Sequence, residues 1–471
     1  MLGEGGHLGF IVSNRFFKNK GAKEIRGLLA KNRIHEIVDF TDYQLFEGAT
    51  NYSAIINVEK LVENDDWDSF IEDGEFTNKN DIKTTRVRDW DKEIPELVEQ
   101  IESREPTESI DFFDIDSRRF QEKVRIKNGE IVREDASKSF TSTDQEIHLS
   151  KQLPLVDVWP VAPPQEYELI DTIEENMEMR LGDKPVVRDN SVEQRGDLVG
   201  DDIRVGVQTS GDSAYIVEPQ VGIAKEKLGE LSTLTITPRG IDKSFTVETD
   251  LLKVDITGDD AARWLPDWSN RLVFIPYIQG DDRARLIRPE ELASQYPKTW
   301  EYFTSPEVLE TLSDESRERN GLHARLAAEF DIIEEQDTKS DYKQKNLSAS
   351  QYKELSEALR NNVEYLNRQD NELWWYRFMR RQNIESLPNP KVLTGNQAQY
   401  NKLSFDDEGI MAPHNARVYA ILIEDDKKTG VAGVLNSAVT EFYHKQHARI
   451  HSGKAYSYIE DYTSKWPVVV P

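Results

Sequence analysis

Cysteine is missing from all 471 residues. That excludes disulfides, thiolate metal sites and a cysteine nucleophile, and it fits a chain made for a reducing, cytoplasmic setting. No apolar run approaches the roughly 20 residues of a membrane span, so a soluble chain without a membrane partner is expected. The opening residues carry neither a basic n-region nor a long apolar h-region, so no signal peptide is expected. Positive charge is scarce relative to negative: Lys and Arg total 59 against 87 Asp and Glu, a formal net charge of -28 at pH 7. The acid is spread over nearly the whole length, as on the solvated surface of a halophile's protein rather than in an acidic tail. Such a balance argues at first against a nucleic-acid partner. In molar salt the objection weakens, because a Debye length of about 3 Å screens repulsion beyond immediate contact and leaves recognition to base contacts and packing.

What is present reads as α/β structure followed by α+β structure. Leu8-Gly9-Phe10-Ile11-Val12, bounded by glycines and by Ser13-Asn14, predicts a strand buried on both faces. A helical stretch follows, and Ile34 to Phe40 predicts a second strand that closes a β-α-β unit. Such a unit normally lies inside a parallel sheet, so flanking strands are expected from elsewhere. Leu45 to Tyr52 reads as a turn and Ser53 to Val58 as another strand. Residues from about Glu63 to Asp144 are polar and charged, with alternating pieces at Lys123 to Ile126 and Glu130 to Arg133, and read as a connector with hairpin content. Pro154, Pro160, Pro163 and Pro164 punctuate the entry to a further domain. From Ile203 short strands and turns dominate, including Val205 to Gln208, Ala214 to Val217 and Phe274 to Tyr277. Between about Ser305 and Asn371 the period becomes helical, with Tyr352, Leu355, Leu359, Val363 and Leu366 on one apolar face. Val418 to Ile423 predicts a late strand and Gly433 to Tyr443 a helix. The expected division is 1–62, then a connector over 63–150, then 151–471 with a helical insertion at about 305–371.

The order of these pieces resembles the C-terminal part of adenine-specific (N6) DNA methyltransferases of restriction-modification systems, the TaqI-like and type IIG group. The resemblance is carried by Gly6 to Asn14, Ile34 to Phe40, Leu45-Phe46-Glu47-Gly48-Ala49 and Ser53 to Lys60, then by Val205 to Asp212, Phe274 to Tyr277, Trp374 to Arg377, Arg381-Gln382-Asn383, Pro390 to Leu393 and Leu435-Asn436-Ser437. It implies the last β-α-β part of a Rossmann-like methyltransferase sheet, followed by an α+β target-recognition domain. Double-stranded DNA is the implied partner and S-adenosylmethionine the implied cofactor. The glycine-rich cofactor loop and the Asn-Pro-Pro-Tyr loop of that family do not occur in this sequence, and Gly3, Gly5, Gly6 and Gly9 fail the G-x-G-x-x-G template. The expectation is therefore a methyltransferase whose cofactor-binding half is lost or separately encoded. A non-catalytic specificity subunit or truncated remnant is the alternative.

Methylating an adenine amino group inside a duplex requires the base to be flipped out and stacked between aromatic faces. The resemblance places Phe46 on one side of that base; otherwise Phe46 fills the core beneath its turn. Trp374 to Asn383 interleaves four aromatics with Arg377, Arg380, Arg381, Gln382 and Asn383, a composition suited to reading guanine and adenine edges. The competing account is an amphipathic helix with solvated arginines. Gln208, Thr209 and Lys391 join these as expected DNA contacts through their motifs. His444, His447 and His451 share one helical face, which reads as a solvated or phosphate-facing surface sooner than a metal site. Asp111, Asp114 and Asp116 read as solvated surface.

Overall fold

The computed structural model describes residues 3, 5–30, 32–41, 43–46, 52–61, 71–72, 75–76, 80–120, 124–127, 130–133, 158–177, 179–182, 187–188, 191–192, 203–280, 284–335, 346–368, 374–380, 383–422, 428–451 and 455–468. It is a mixed α/β structure with several sheets, divided into two compact units, 1–201 with 397–401 and 429–471, and 202–396 with 402–428. Among the described residues no helix is long and apolar enough to cross a membrane.

The first unit is built on a five-stranded sheet. β1 (His7–Ser13) forms its edge, followed in space by β3 (Ser53–Glu59), β2 (Arg33–Asp39) and the strands Asp81–Val87 and Ile110–Asp116. Helix α1 (Lys23–Ala30) connects β1 to β2, as the β-α-β pattern predicts, but β3 is inserted antiparallel between them. Alternation along the strands sends Ile34, Ile37 and Ile56 to one face, under the helix Pro164–Asn176, and Val38 and Ile110 to the other, under the helix Ile94–Ser103. Burial of such side chains, at about 25 cal/mol per Å² of apolar surface, is the main stabilising term.

Two expectations change here. β1 is not buried on both faces: it is an edge strand, and Leu8 and Ile11 are exposed. The charged stretch is more than a connector, since Asp81–Val87 pairs parallel with β2 and Ile110–Asp116 pairs antiparallel with Asp81–Val87. Both strands carry an acidic or basic residue at most outward positions, which hides their buried alternation of Ile82, Thr84 and Ile115. Val124–Lys127 and Glu130–Arg133 form an antiparallel hairpin.

Among the described residues the second unit holds two larger sheets and a two-stranded ribbon, Tyr277–Ile278 with Arg285–Leu286. A six-stranded sheet runs Phe245–Glu248, Thr233–Pro238, Ile216–Pro219, Leu272–Phe274, Leu252–Ile256 and Met411–Pro413, with only the last pair parallel. A four-stranded antiparallel sheet runs Ile203–Val205, Val418–Leu422, Lys391–Gly395 and Leu403–Asp406. The helical segment begins at Pro289, earlier than the period alone indicates. The face predicted as one helix is two, Ala349–Asn361 and Val363–Arg368, broken at Asn362. Likewise Gly433 to Tyr443 spans two helices, Lys428–Leu435 and Ala438–His447, because Ser437 Oγ accepts from Thr440 N at 3.2 Å and caps the second.

Candidate functional site

In the second unit the chain brings two of the sequence motifs together. Gln208 and Arg380 form an antiparallel backbone bridge, and the Asn383 amide donates to the Val205 carbonyl at 2.8 Å. The segment around Trp374 is not an amphipathic helix. Its aromatics are core: Trp375 donates to the Phe303 carbonyl at 2.8 Å, Tyr376 to the Ile287 carbonyl at 2.7 Å, and the Phe378 N–H to Tyr277 at 2.8 Å. Buried anchors of this kind fix the polar residues between them. Arg380 is exposed and Gln208 and Arg377 are half-buried, while Arg381 and Gln382 lie outside the described residues.

Arg319, which sequence reasoning missed, is the residue that ties these segments to each other. It is 2% exposed, and its guanidinium donates to the carbonyls of Ser210 at 2.5 Å, Thr209 at 3.0 Å and Arg377 at 2.6 Å, with Tyr215 beneath it. Nothing in the charged stretch Arg317 to Arg325 distinguishes it from its neighbours before folding. A second brace lies below the 206–212 turn, where His414 Nε2 is 3.2 Å from Asp212 Oδ1 and Nδ1 is 3.2 Å from Asp255 Oδ1. Burial alone would lower the imidazole, but the hydrogen bonds and charges of Asp212 and Asp255 outweigh it and raise His414 to about 9. The His414 hydrogen bond in turn holds Asp212 down at about 2. Gly206 is required here, because a Cβ would sit 2.5 Å from the Pro413 carbonyl oxygen.

Not every expected contact residue faces outward. Thr209 is fully buried and donates to Asp212 Oδ1 at 2.5 Å, so its hydroxyl is committed within the turn. Lys391 requires a firmer correction: its side chain is wholly buried, pairs with Asp406 Oδ2 at 2.5 Å and donates to the Leu387 carbonyl at 2.7 Å. As placed, it offers no surface to DNA. Asn383 spends its amide donor on Val205 and takes a left-handed φ of 60°, so it shapes the turn.

In the first unit Phe46 follows β2 and is 52% exposed, which does not fit filling the core beneath its turn. The residues after it, 47–51, lie outside the described residues. His444 and His447 are not a solvated face either. His444 is buried and accepts at Nδ1 from Trp466 Nε1 at 2.8 Å, His447 Nδ1 donates to the Tyr443 carbonyl at 2.8 Å, and burial lowers His447 to about 3. Asp111 and Asp114 pair with Arg88 and Arg104. A cluster of His7, His35 and Glu59, not anticipated from spacing, lies on adjacent strands with ligand atoms within 4.8 Å of one another. A bulge in β2 at His35 turns that ring toward Glu59, and Arg33, 3.4 Å from the same carboxylate, competes with any cation there.

Comparison with known proteins agrees with the resemblance in its broad terms. Residues 1–46 match the Eco57I restriction-modification methylase family. The chain is 24% identical over 324 residues to the type II restriction enzyme and methyltransferase RM.Eco57I of Escherichia coli, covering 67% of this chain and 24% of that protein. It therefore spans about a quarter of the length of that curated relative. Among solved structures it is similar to the type IIL restriction-modification enzyme MmeI, determined in complex with DNA (TM-score 0.40, 9% identity, 99% of this chain and 39% of that one). It is also similar to the type IIG restriction endonuclease BpuSI (TM-score 0.30, 10% identity, 99% and 40%). The chain is thus similar to restriction-modification methylases of the type II group.

Proposed function

We propose that this chain recognises a DNA site for adenine-N6 methylation in a restriction-modification system, as the target-recognition part of a methyltransferase whose cofactor-binding loops are not among these 471 residues. The observation that carries the reading is the junction of Gln208 with Arg380, where two motifs distant in sequence form one braced surface in a unit whose aromatics are otherwise spent on the core. A rigidly held arginine and glutamine are the side chains that read guanine and adenine edges. The similarity to RM.Eco57I over two thirds of the chain supports the same class of task.

The residues present do not fit S-adenosylmethionine. Gly5 and Gly6 continue the ladder with Lys60 at 2.8 and 2.9 Å, and Gly9 lies within β1, so these glycines form no loop between a strand and a helix N-terminus. No methyl-transfer step is derived from this chain. What it contributes is position: Phe46 offers an exposed aromatic face for a flipped adenine, and the Gln208–Arg380 junction offers base contacts. On the outer side of β1 no strand is paired among the described residues, and Ile11 and its cross-strand partner Ile55 are 47% and 37% exposed. An apolar open edge of this kind is where further strands of a methyltransferase sheet would pair.

The test is a duplex library bound at two salt concentrations. Arg380→Ala should relax preference at one base position by roughly 1–3 kcal/mol if it reads guanine. If it contacts only phosphate, it should weaken all sequences alike in dilute salt and be silent in molar salt. Phe46→Ala in the reconstituted enzyme should lower turnover, the lost stacking being worth about 1–3 kcal/mol. Wild-type binding without any base preference would sink the recognition reading.

A further inference from the structure

One cavity of the first unit runs against the charge of the whole chain. It measures about 250 Å³ and is lined by Arg15, Lys18, Arg86, Arg88, Lys445 and Arg449, six cations facing only two carboxylates, Asp39 and Glu166. In a chain with 87 acids and 59 bases a concentration of this kind needs a reason. The cations come from three separate parts of the chain: the turn after β1, the end of the Asp81–Val87 strand, and the last turn of the Ala438–His447 helix with the residues after it. Folding therefore had to assemble them against their mutual repulsion.

The hydrogen bonds inside the cavity leave donors over. Arg88 is matched by Asp111 and Lys445 by Glu441, while Arg86 shares Glu166 at 3.5 Å and donates to the Val161 carbonyl. Among the described residues Lys18 Nζ meets only a neutral acceptor at short range, the Lys445 carbonyl at 2.6 Å. Among the described residues no carboxylate pairs with Arg15 or Arg449, and the Nε atoms of Arg86 and Arg449 are buried with no acceptor facing them. A buried guanidinium donor without an acceptor is costly, and several around one space are satisfied together by a single multivalent anion. Burial, partly offset by Asp39 and deepened by Arg86, lowers the Lys18 ammonium to about 8.

The floor is apolar and rigid. Trp159 is fully buried, stacks on Phe120 with ring centroids 4.5 Å apart, and its backbone N–H donates to the Phe17 carbonyl at 2.7 Å while its indole N–H donates to the Phe120 carbonyl at 3.3 Å. Arg26, also fully buried, donates to the carbonyls of Phe16 at 2.7 Å and Asn19 at 2.8 Å, and so holds the turn that carries Arg15 and Lys18. At the rim Lys445 and Arg449 are half-buried, so the space is reachable from solvent. Guanidinium forks around a compact space, with no matching base-shaped donor and acceptor set, select a tetrahedral oxyanion.

We infer that this cavity is a binding site for a phosphate group of the DNA backbone, a second and sequence-independent contact in the unit opposite in role to base reading. The identification of DNA as the source rests on the recognition reading above; the phosphate chemistry does not. Sulfate, which does not titrate near neutral pH, is the probe for the cavity alone. Isothermal titration at pH 8 should show sulfate binding with net proton uptake, because the anion raises Lys18. Arg15→Gln and Arg449→Gln should each weaken it by about tenfold, the loss of a charge-assisted hydrogen bond. Lys18→Met should abolish the proton uptake, and Arg15→Lys, which keeps the charge, tests binding if Arg15→Gln fails to fold. In the DNA arm, Arg449→Gln should lower affinity for all duplexes alike and reduce the salt slope by about 1, with any base preference kept. No sulfate binding by the wild type, or binding unchanged in both arginine variants, overturns the cavity as an anion site. Sulfate binding lost in the variants with duplex affinity and salt slope unchanged overturns DNA as the source and leaves a free-anion site. Absence of base preference in the wild type, with the sulfate results as expected, removes the recognition reading and not this one.

Discussion

Arg380 and Lys391 are both expected DNA contacts from the sequence, the first by its arginine-rich segment and the second by its motif. Folding separates them completely: Arg380 is exposed, and Lys391 has a buried ammonium 2.5 Å from Asp406. The difference was not legible because it depends on Asp406, brought opposite Lys391 by the register of two strands. Lys391→Met strands that carboxylate in the core and should destabilise the second unit by roughly 3–5 kcal/mol in chemical denaturation. A variant of wild-type stability with weakened DNA binding would restore Lys391 to the surface. His414 gives a second residue-level expectation, this time with pH. Its folded value of about 9 lies above the ordinary 6.5, so the stability it contributes is complete below 6.5 and is lost as pH rises toward 9. Wild-type stability should decline across that window, and His414→Gln should start lower and decline less. A parallel decline in both proteins would assign the loss to other groups.

At the level of elements, the helices and strands with plain periodicity were readable, while their partners were not. β1, α1 and β2 fall where the apolar runs and the intervening amphipathic stretch place them. Leu8 to Val12 reads as doubly buried because five small and apolar residues in a row carry no polar face, yet the strand lies at an edge and exposes Leu8 and Ile11. Composition reports what a strand is suited to, and topology decides what covers it. The strand Asp81–Val87 was missed for the converse reason: charges at its outward positions resemble a solvated connector. These placements have a measurable consequence. In hydrogen exchange β3, paired on both sides, should protect its amides better than β1, whose alternate N–H groups point outward from the sheet. Pairing of a further strand against the outer side of β1 should raise protection in β1 selectively. Protection of β1 equal to that of β3 in the isolated chain would mean that its edge is already covered.

For the whole molecule the governing quantity is the net charge of -28, which acts on stability and on binding in opposite directions. Self-repulsion among acids spread over the surface disfavours the compact state, and raising ionic strength from 0.1 to 1 M shortens the Debye length from about 10 to about 3 Å, removing most of it. Chloride is the anion of choice for this measurement, since sulfate would strengthen burial generally as well as enter the basic cavity. Thermal unfolding in KCl should therefore shift upward over that range. Each kcal/mol of relieved repulsion corresponds to roughly 2–4 °C for a unit of this size. DNA affinity should fall over the same range, because phosphate contacts are exchanged for salt, while preference among sequences should change little, since contacts to base edges release no counterions. The two responses together are what the proposed recognition role would require of so acidic a chain in concentrated salt: a fold that needs the salt, and a specificity that tolerates it. A melting temperature that falls with KCl would show that the acidic surface is compensated locally by ion pairs such as Arg119–Asp171 and Arg285–Glu291 rather than awaiting screening. In that case the halophile reading is withdrawn, and the acidic composition becomes a property of the surface pairs alone.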